Sequence, residues 1–163
     1  MVLESMEEAL RLIEGSSKRY HSVLSAELMR ILARTFHEDE GEWELVGLLH
    51  DLDHDLVNGD MSRHGMVAAE MLKGKLSESC LHAIRAHDRR TGVEPQGILD
   101  ESLIFADALA TLMEDQAVTT AVDGVALDRA LEEESKTKPW ISENIHAYSR
   151  RTGVSVLQIL QSL

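Results

Sequence analysis

Gly47-Leu48-Leu49-His50-Asp51-Leu52-Asp53-His54-Asp55 sets two imidazoles and three carboxylates at the end of an apolar helical run. Such groups are costly to bury unless they are paired or bound to a metal. Side chains adjacent in sequence diverge by about 100° around a helix. His50 and Asp51 therefore reach one ion together only if it sits at the helix end. Further ligands must come from other parts of the chain.

Upstream, residues 3–14 show a helical pattern that stops at Gly15, and Ser16 or Ser17 can cap the helix that follows. That helix runs to about Phe36 on a stripe of Leu24, Leu28, Ile31 and Leu32. His21 lies on the same stripe, one turn before Leu24. Downstream, Asn58-Gly59 signals a turn, and Ser62 is placed to cap a short helix ending at Gly74. His64 faces inward near the start of that helix. Ser77 caps the next one, whose inner face reads Cys80, Leu81, Ile84, His87. His82 turns away in line with Arg85 and Arg89, so His87 ranks above it as a buried ligand. A long helix over about 98–118 carries Asp107 in its core stripe of Leu103, Ile104, Ala108 and Leu112.

Five helices thus each point a ligand inward: His21, His50-Asp51, His64, His87 and Asp107. Taken singly, each has an ordinary reading as a satisfied core residue. Taken together, they would make a poorly satisfied core, and one metal centre accounts for all of them. Nitrogen and carboxylate oxygen suit Mn, Fe, Co, Ni or Zn, with Mg compatible. With Asp51 bridging, one or two ions fit, two of them ~3.5–4 Å apart.

The chain has 163 residues, 44% hydrophobic but only 4% aromatic, and two prolines. This predicts an all-α fold, a single domain with its core at about 17–115 and a C-terminal helical extension at about 120–163. Glu132-Glu133-Glu134 reads as a solvated helix face, and Trp140 as packing. The extension suits either a substrate wall or a homodimer contact. The net charge of −13 argues against DNA and anionic membranes as partners. A single cysteine, Cys80, and an acidic N-terminus without a signal-peptide pattern fit the cytoplasm. No window is apolar enough to span a membrane.

The ordered set His21, His50-Asp51, Asp107 resembles the signature of the HD superfamily of metal-dependent phosphohydrolases. Lys18-Arg19-Tyr20-His21-Ser22, Gly47-Leu48-Leu49-His50-Asp51 and Ile104-Phe105-Ala106-Asp107-Ala108 resemble its three motifs. Arg63-His64-Gly65 and His82-Ala83-Ile84-Arg85-Ala86-His87 resemble the added histidine motifs of two-metal members. The likeness is nearest to small bacterial HD proteins, including a branch that hydrolyses dinucleoside tetraphosphates. That branch carries an acidic-Pro-x-Arg element where Ala108-Leu109-Ala110-Thr111-Leu112 stands here.

The resemblance implies an enzyme that cleaves a phosphate ester or anhydride of a nucleotide or small phosphorylated metabolite with a metal-activated water. His21, His50, Asp51 and Asp107 would hold a first ion, and His64 and His87 would join Asp51 around a second. Asp51, His54 and Asp53 are the catalytic candidates, His54 and Asp53 as supporting groups or proton shuttle. Arg63, His82, Arg85 and Arg89 are candidates for binding substrate phosphate. Two alternatives share this scaffold: a di-iron oxygenase and a non-catalytic nucleotide-binding domain.

Overall fold

An aliphatic, proline-poor chain buries its apolar surface most readily between helices. The computed structural model describes residues 6–163 and contains no strand among them. The elements are α1 (Met6–Leu12), α2 (Arg19–Phe36), α3 (Glu40–Leu49), α4 (Met66–Met71) and α5 (Glu78–Ala86), then a 3-10 turn at Arg89–Thr91. They continue with α6 (Ile98–Asp115), α7 (Gly124–Ser135), α8 (Pro139–Thr152) and α9 (Val156–Gln161). No described helix is long and apolar enough to cross a membrane. The first part of the helix expected over 3–14 lies outside the described residues.

Leu24, Leu28, Ile31 and Leu32 are buried, as their spacing requires. They pack α2 along α3 and α6. The approach of α2 to α3 is unusually close at Gly47. A Cβ there would lie 2.6 Å from the Ser25 carbonyl oxygen and 2.8 Å from the Ala26 Cα. Only glycine lets the two backbones meet, and this contact brings His21 beside His50 and Asp51.

Helix starts differ from expectation where tertiary partners compete for the capping side chain. Neither Ser16 nor Ser17 caps α2: Ser16 Oγ accepts from the Lys18 amide at 3.0 Å. Ser17 is taken by Asp55, to which both its amide and its hydroxyl donate. Ser62 does not cap α4 but donates to Asp60. The cap of α4 comes instead from Asp53, twelve or more residues back, which accepts from the Gly65 and Ala68 amides at 2.9 and 2.8 Å. Ser77 caps α5 as its sequence suggests. Helix α6 ends three residues earlier than expected, followed by Ala117 at φ 50°.

The Glu132–Glu134 run is not uniformly solvated. Glu134 is buried and accepts from Gln116 Nε2 at 2.7 Å, because α7 turns that residue toward the end of α6. Helix α8 packs on both α6 and α7. Tyr148 anchors it, stacking on Phe105 with ring centroids 4.4 Å apart and sharing a 2.6 Å hydrogen bond with Ser102. The Ser142 hydroxyl donates to the Leu131 carbonyl at 2.8 Å and ties α8 to α7.

Candidate metal centre

The end of α3 delivers His50 and Asp51 into the middle of the bundle, where both are buried. Around them the structure brings His21 from the first turn of α2, His64 from the turn before α4, His87 from the end of α5 and Asp107 from the middle of α6. His21 Nε2 lies 2.9 Å from Asp107 Oδ1 and 3.7 Å from Asp51 Oδ2. His64 Nε2 lies 2.9 Å from Asp51 Oδ1, and His87 Nε2 lies 3.7 Å from the same oxygen. His50 Nε2 is 3.4 Å from Asp51 Oδ1 and 3.8 Å from Asp107 Oδ1. Two clusters of ligand atoms result, His21-His50-Asp51 and Asp51-His64-His87, with Asp51 common to both.

Every ring turns the same nitrogen outward. His50 Nδ1 contacts the Gly47 carbonyl at 2.7 Å, and His87 Nδ1 contacts the Ile84 carbonyl at 2.6 Å. His64 Nδ1 meets Asp53 at 2.8 Å, and His21 Nδ1 meets Glu114 at 2.7 Å. A carbonyl or carboxylate only accepts, so each Nδ1 carries the proton. In the neutral rings each Nε2 then presents a lone pair to the centre, which is how supporting groups prepare histidine for a metal.

The arrangement is unfavourable without a cation. The Nε2 atoms of His64 and His87 face each other at 3.2 Å. His50 Nε2 is buried with no hydrogen-bond partner and looks toward carboxylate oxygens. Divalent ions, one in each cluster, would satisfy these lone pairs, so the residues fit the group.

Without an ion, protons do that work. Burial opposes charge on His21, but the Asp107 and Asp51 carboxylates outweigh it and raise its pKa to about 9. The same contest, with Asp51 and Asp53 as partners, raises His64 to about 10. Burial would lift Asp51 and Asp107, yet the imidazoles around them hold both well below the usual carboxylate range. A metal must therefore displace protons from His21 and His64. Calorimetric titration with Mn²⁺ at pH 7, repeated in buffers of different ionisation enthalpy, should show about two protons released per protein. Heats independent of the buffer would contradict this. The sign for stability follows as well. A raised histidine pKa adds stability that is complete below the unfolded value, near 6.5, and is lost as pH rises through about 9 and 10. Melting temperature of chelator-treated protein should fall from pH 7 to 10 more steeply than that of Mn²⁺-loaded protein.

The centre opens on a cavity of about 570 Å³. Asp51, His64, His87 and Asp107 lie along its floor, and His54 stands on its wall, half-buried. The His54 ring meets His64 edge-on, with centroids 5.5 Å apart. Asp53 is fully buried behind His64, with its oxygens used by His64 Nδ1 and two amides. Among the four phosphate-binding candidates, Arg89 lines the cavity. Arg63 is exposed elsewhere, Arg85 pairs with Glu78 at 2.7 Å, and His82 pairs with Asp100 at 2.8 Å.

The HD-domain family model matches residues 19–112, more than half of the chain. The protein belongs to the HD-domain family. Neither a curated protein nor a solved structure matches it significantly. The matched span covers the candidate ligands from α2 to α6 and stops short of α7, α8 and α9. Sequence reading did not single out two residues at this centre, Glu114 and Lys18, although Lys18 stands in the first HD-like motif. Glu114 lies seven residues after Asp107, two helical turns along the same face of α6, and that spacing could have flagged it. Lys18 on the cavity wall sits just before the His21 turn.

Proposed function

We propose that this HD-domain protein is a metal-dependent phosphohydrolase that cleaves a phosphate ester or anhydride of a nucleotide or other small phosphorylated metabolite. The observation that carries the reading is Asp51. It is common to both clusters of ligand atoms, its Oδ2 facing His21 and its Oδ1 facing His50, His64 and His87, at the floor of a cavity open to a small molecule.

His21, His50, Asp51 and Asp107 would hold one divalent ion, and Asp51, His64 and His87 a second. Mn, Fe, Co, Ni or Zn suits the nitrogen and oxygen donors, and Mg is compatible. When bound, such ions supply Lewis acidity toward phosphoryl oxygens and bring the ionisation of a nearby water to about neutral pH. The chain's own groups do the rest. Lys18 and Arg89 make no ion pair among the described residues, and their charges are free to meet phosphate oxygens. The water gives up one proton to solvent as it ionises, its oxygen bonds to phosphorus as the bond to the leaving oxygen breaks, and His54 supplies the leaving oxygen with a proton. Asp53 is a positioning residue that fixes the His64 ring. An acidic chain of this kind fits a small-molecule partner in the cytoplasm better than a nucleic acid.

Metal analysis of protein purified without chelator, paired with an anaerobic phosphate-release screen over nucleotides and phosphomonoesters, tests this. Two equivalents of metal and phosphate release without oxygen are expected. Oxygen consumption in air with no phosphate released would replace the reading with an oxygenase. Nucleotide binding with neither reaction would replace it with a binding domain.

A further inference from the structure

The cavity is larger than a phosphate group needs, and part of its lining comes from outside the HD match. Trp140 and Asn144 of α8 line it, together with Pro95, Val93 and Ile104. These residues are apolar or neutral, whereas the floor is charged. Trp140, Asn144 and Tyr148 are spaced by four, so they share one stripe of α8. Tyr148 is locked to α6 by Phe105 and Ser102. That anchor sets where the other two stand.

Trp140 is half-buried, packed in part against the core. No aromatic ring stacks on it among the described residues, although Phe36 meets Trp43 and Phe105 meets Tyr148. Asn144, also half-buried, has no side-chain hydrogen bond among the described residues, which leaves two donors and an acceptor on the cavity wall. The cations of the cavity divide by partner. Arg90 is held by Asp88, and Lys138 by Asp115. Lys18 and Arg89 are the two without an ion pair among the described residues. The cavity thus offers two unpaired cations for a phosphate and, on α8, a planar apolar face one turn from an unused amide.

We propose that α8 forms a base subsite: the nucleobase of a nucleoside phosphate stacks on Trp140 while Asn144 hydrogen-bonds its edge. The proposal rests on the phosphohydrolase reading for which end the phosphate occupies, but the subsite itself is a matter of binding. Base-on-aromatic stacking is sequence-tolerant. Trp140 therefore sets the preference for a nucleotide over a sugar phosphate, and Asn144 the preference among bases.

The test compares 5′-nucleoside monophosphates with ribose 5-phosphate, which has the phosphate and sugar but no base. In wild-type protein the nucleotides should quench tryptophan fluorescence and bind about tenfold to a hundredfold more tightly than ribose 5-phosphate. W140A should abolish that preference while leaving ribose 5-phosphate binding unchanged, and W140F should restore most of it. Equal binding of the two ligands by wild-type protein overturns the subsite, as does a preference that survives in W140A. The wild-type comparison decides the matter if W140A does not fold. Phosphate release that ignores the base would remove the subsite and keep the hydrolase. A Trp140-dependent preference in binding without phosphate release would do the reverse.

Discussion

Replacing Asp51 with asparagine should lower kcat/KM for phosphate release by on the order of a thousandfold or more, equivalent to about 4 kcal/mol of transition-state stabilisation. Asp51 is the one carboxylate shared by both clusters. An amide of the same shape keeps the packing but loses the charge. It also replaces one acceptor oxygen with a donor that meets imidazole nitrogens on either side. Metal content should therefore fall for both sites together, whereas His21→Ala or His87→Ala should empty mainly one. Circular dichroism should show the helices intact, because Asp51 lies beyond the end of α3 and supports no helical turn. Metal analysis and steady-state kinetics on D51N check this. A variant with full metal content and an undiminished rate would remove Asp51 from the centre and leave no reason for its burial.

Much of this geometry follows from helical arithmetic. His21 falls on the stripe of Leu24 and Leu28, and Asp107 on that of Leu103 and Ile104, so each is carried to the core by its neighbours. The contrast between His87 and His82 comes from the same source. Five residues apart, they leave α5 in different directions, and the structure places one on Asp51 and the other on Asp100. What periodicity does not reach is the choice of partner. Ser17 and Ser62 have the composition of caps, but Asp55 and Asp60 claim them. Asp53 sits among solvent-friendly neighbours in sequence, and only the fold shows it fully buried as the cap of α4. Arg63 and Arg85 look like phosphate ligands by charge alone. Their direction depends on where the chain turns after Asn58 and on a competing Glu78. Trp140 reads as packing because it opens an amphipathic helix. That it also faces the cavity depends on how α8 docks on α6, which no local pattern encodes.

Gly65→Ala should have the largest effect of any change that adds a single carbon. Gly65 has φ +82°, a conformation that costs an L-residue about 1–2 kcal/mol. Its missing side chain is also the space in which the site is assembled. A Cβ there would stand 2.4 Å from the Ile84 carbonyl oxygen and 3.0 Å from His87 Cε1. That carbonyl orients the His87 ring, and the Gly65 amide itself donates to Asp53, which orients His64. One methyl group therefore pushes on the supports of both histidines at once. Overpacking of this kind adds about 1–3 kcal/mol to the backbone strain. The sum, roughly 2–5 kcal/mol, corresponds to a fall in melting temperature of about 5–20 °C for a chain of this length. Gly74→Ala is the matched control. Its φ is +74°, but a Cβ there meets nothing within 4 Å, so it carries the strain without the collision. The control should lose only the smaller backbone share of stability and keep its metal. G65A should lose more stability and the ion bound by His64 and His87. If the two variants melt together and hold equal metal, the close approach of α4 to α5 does not build the second cluster, and its histidines would have to be oriented by Asp51 alone.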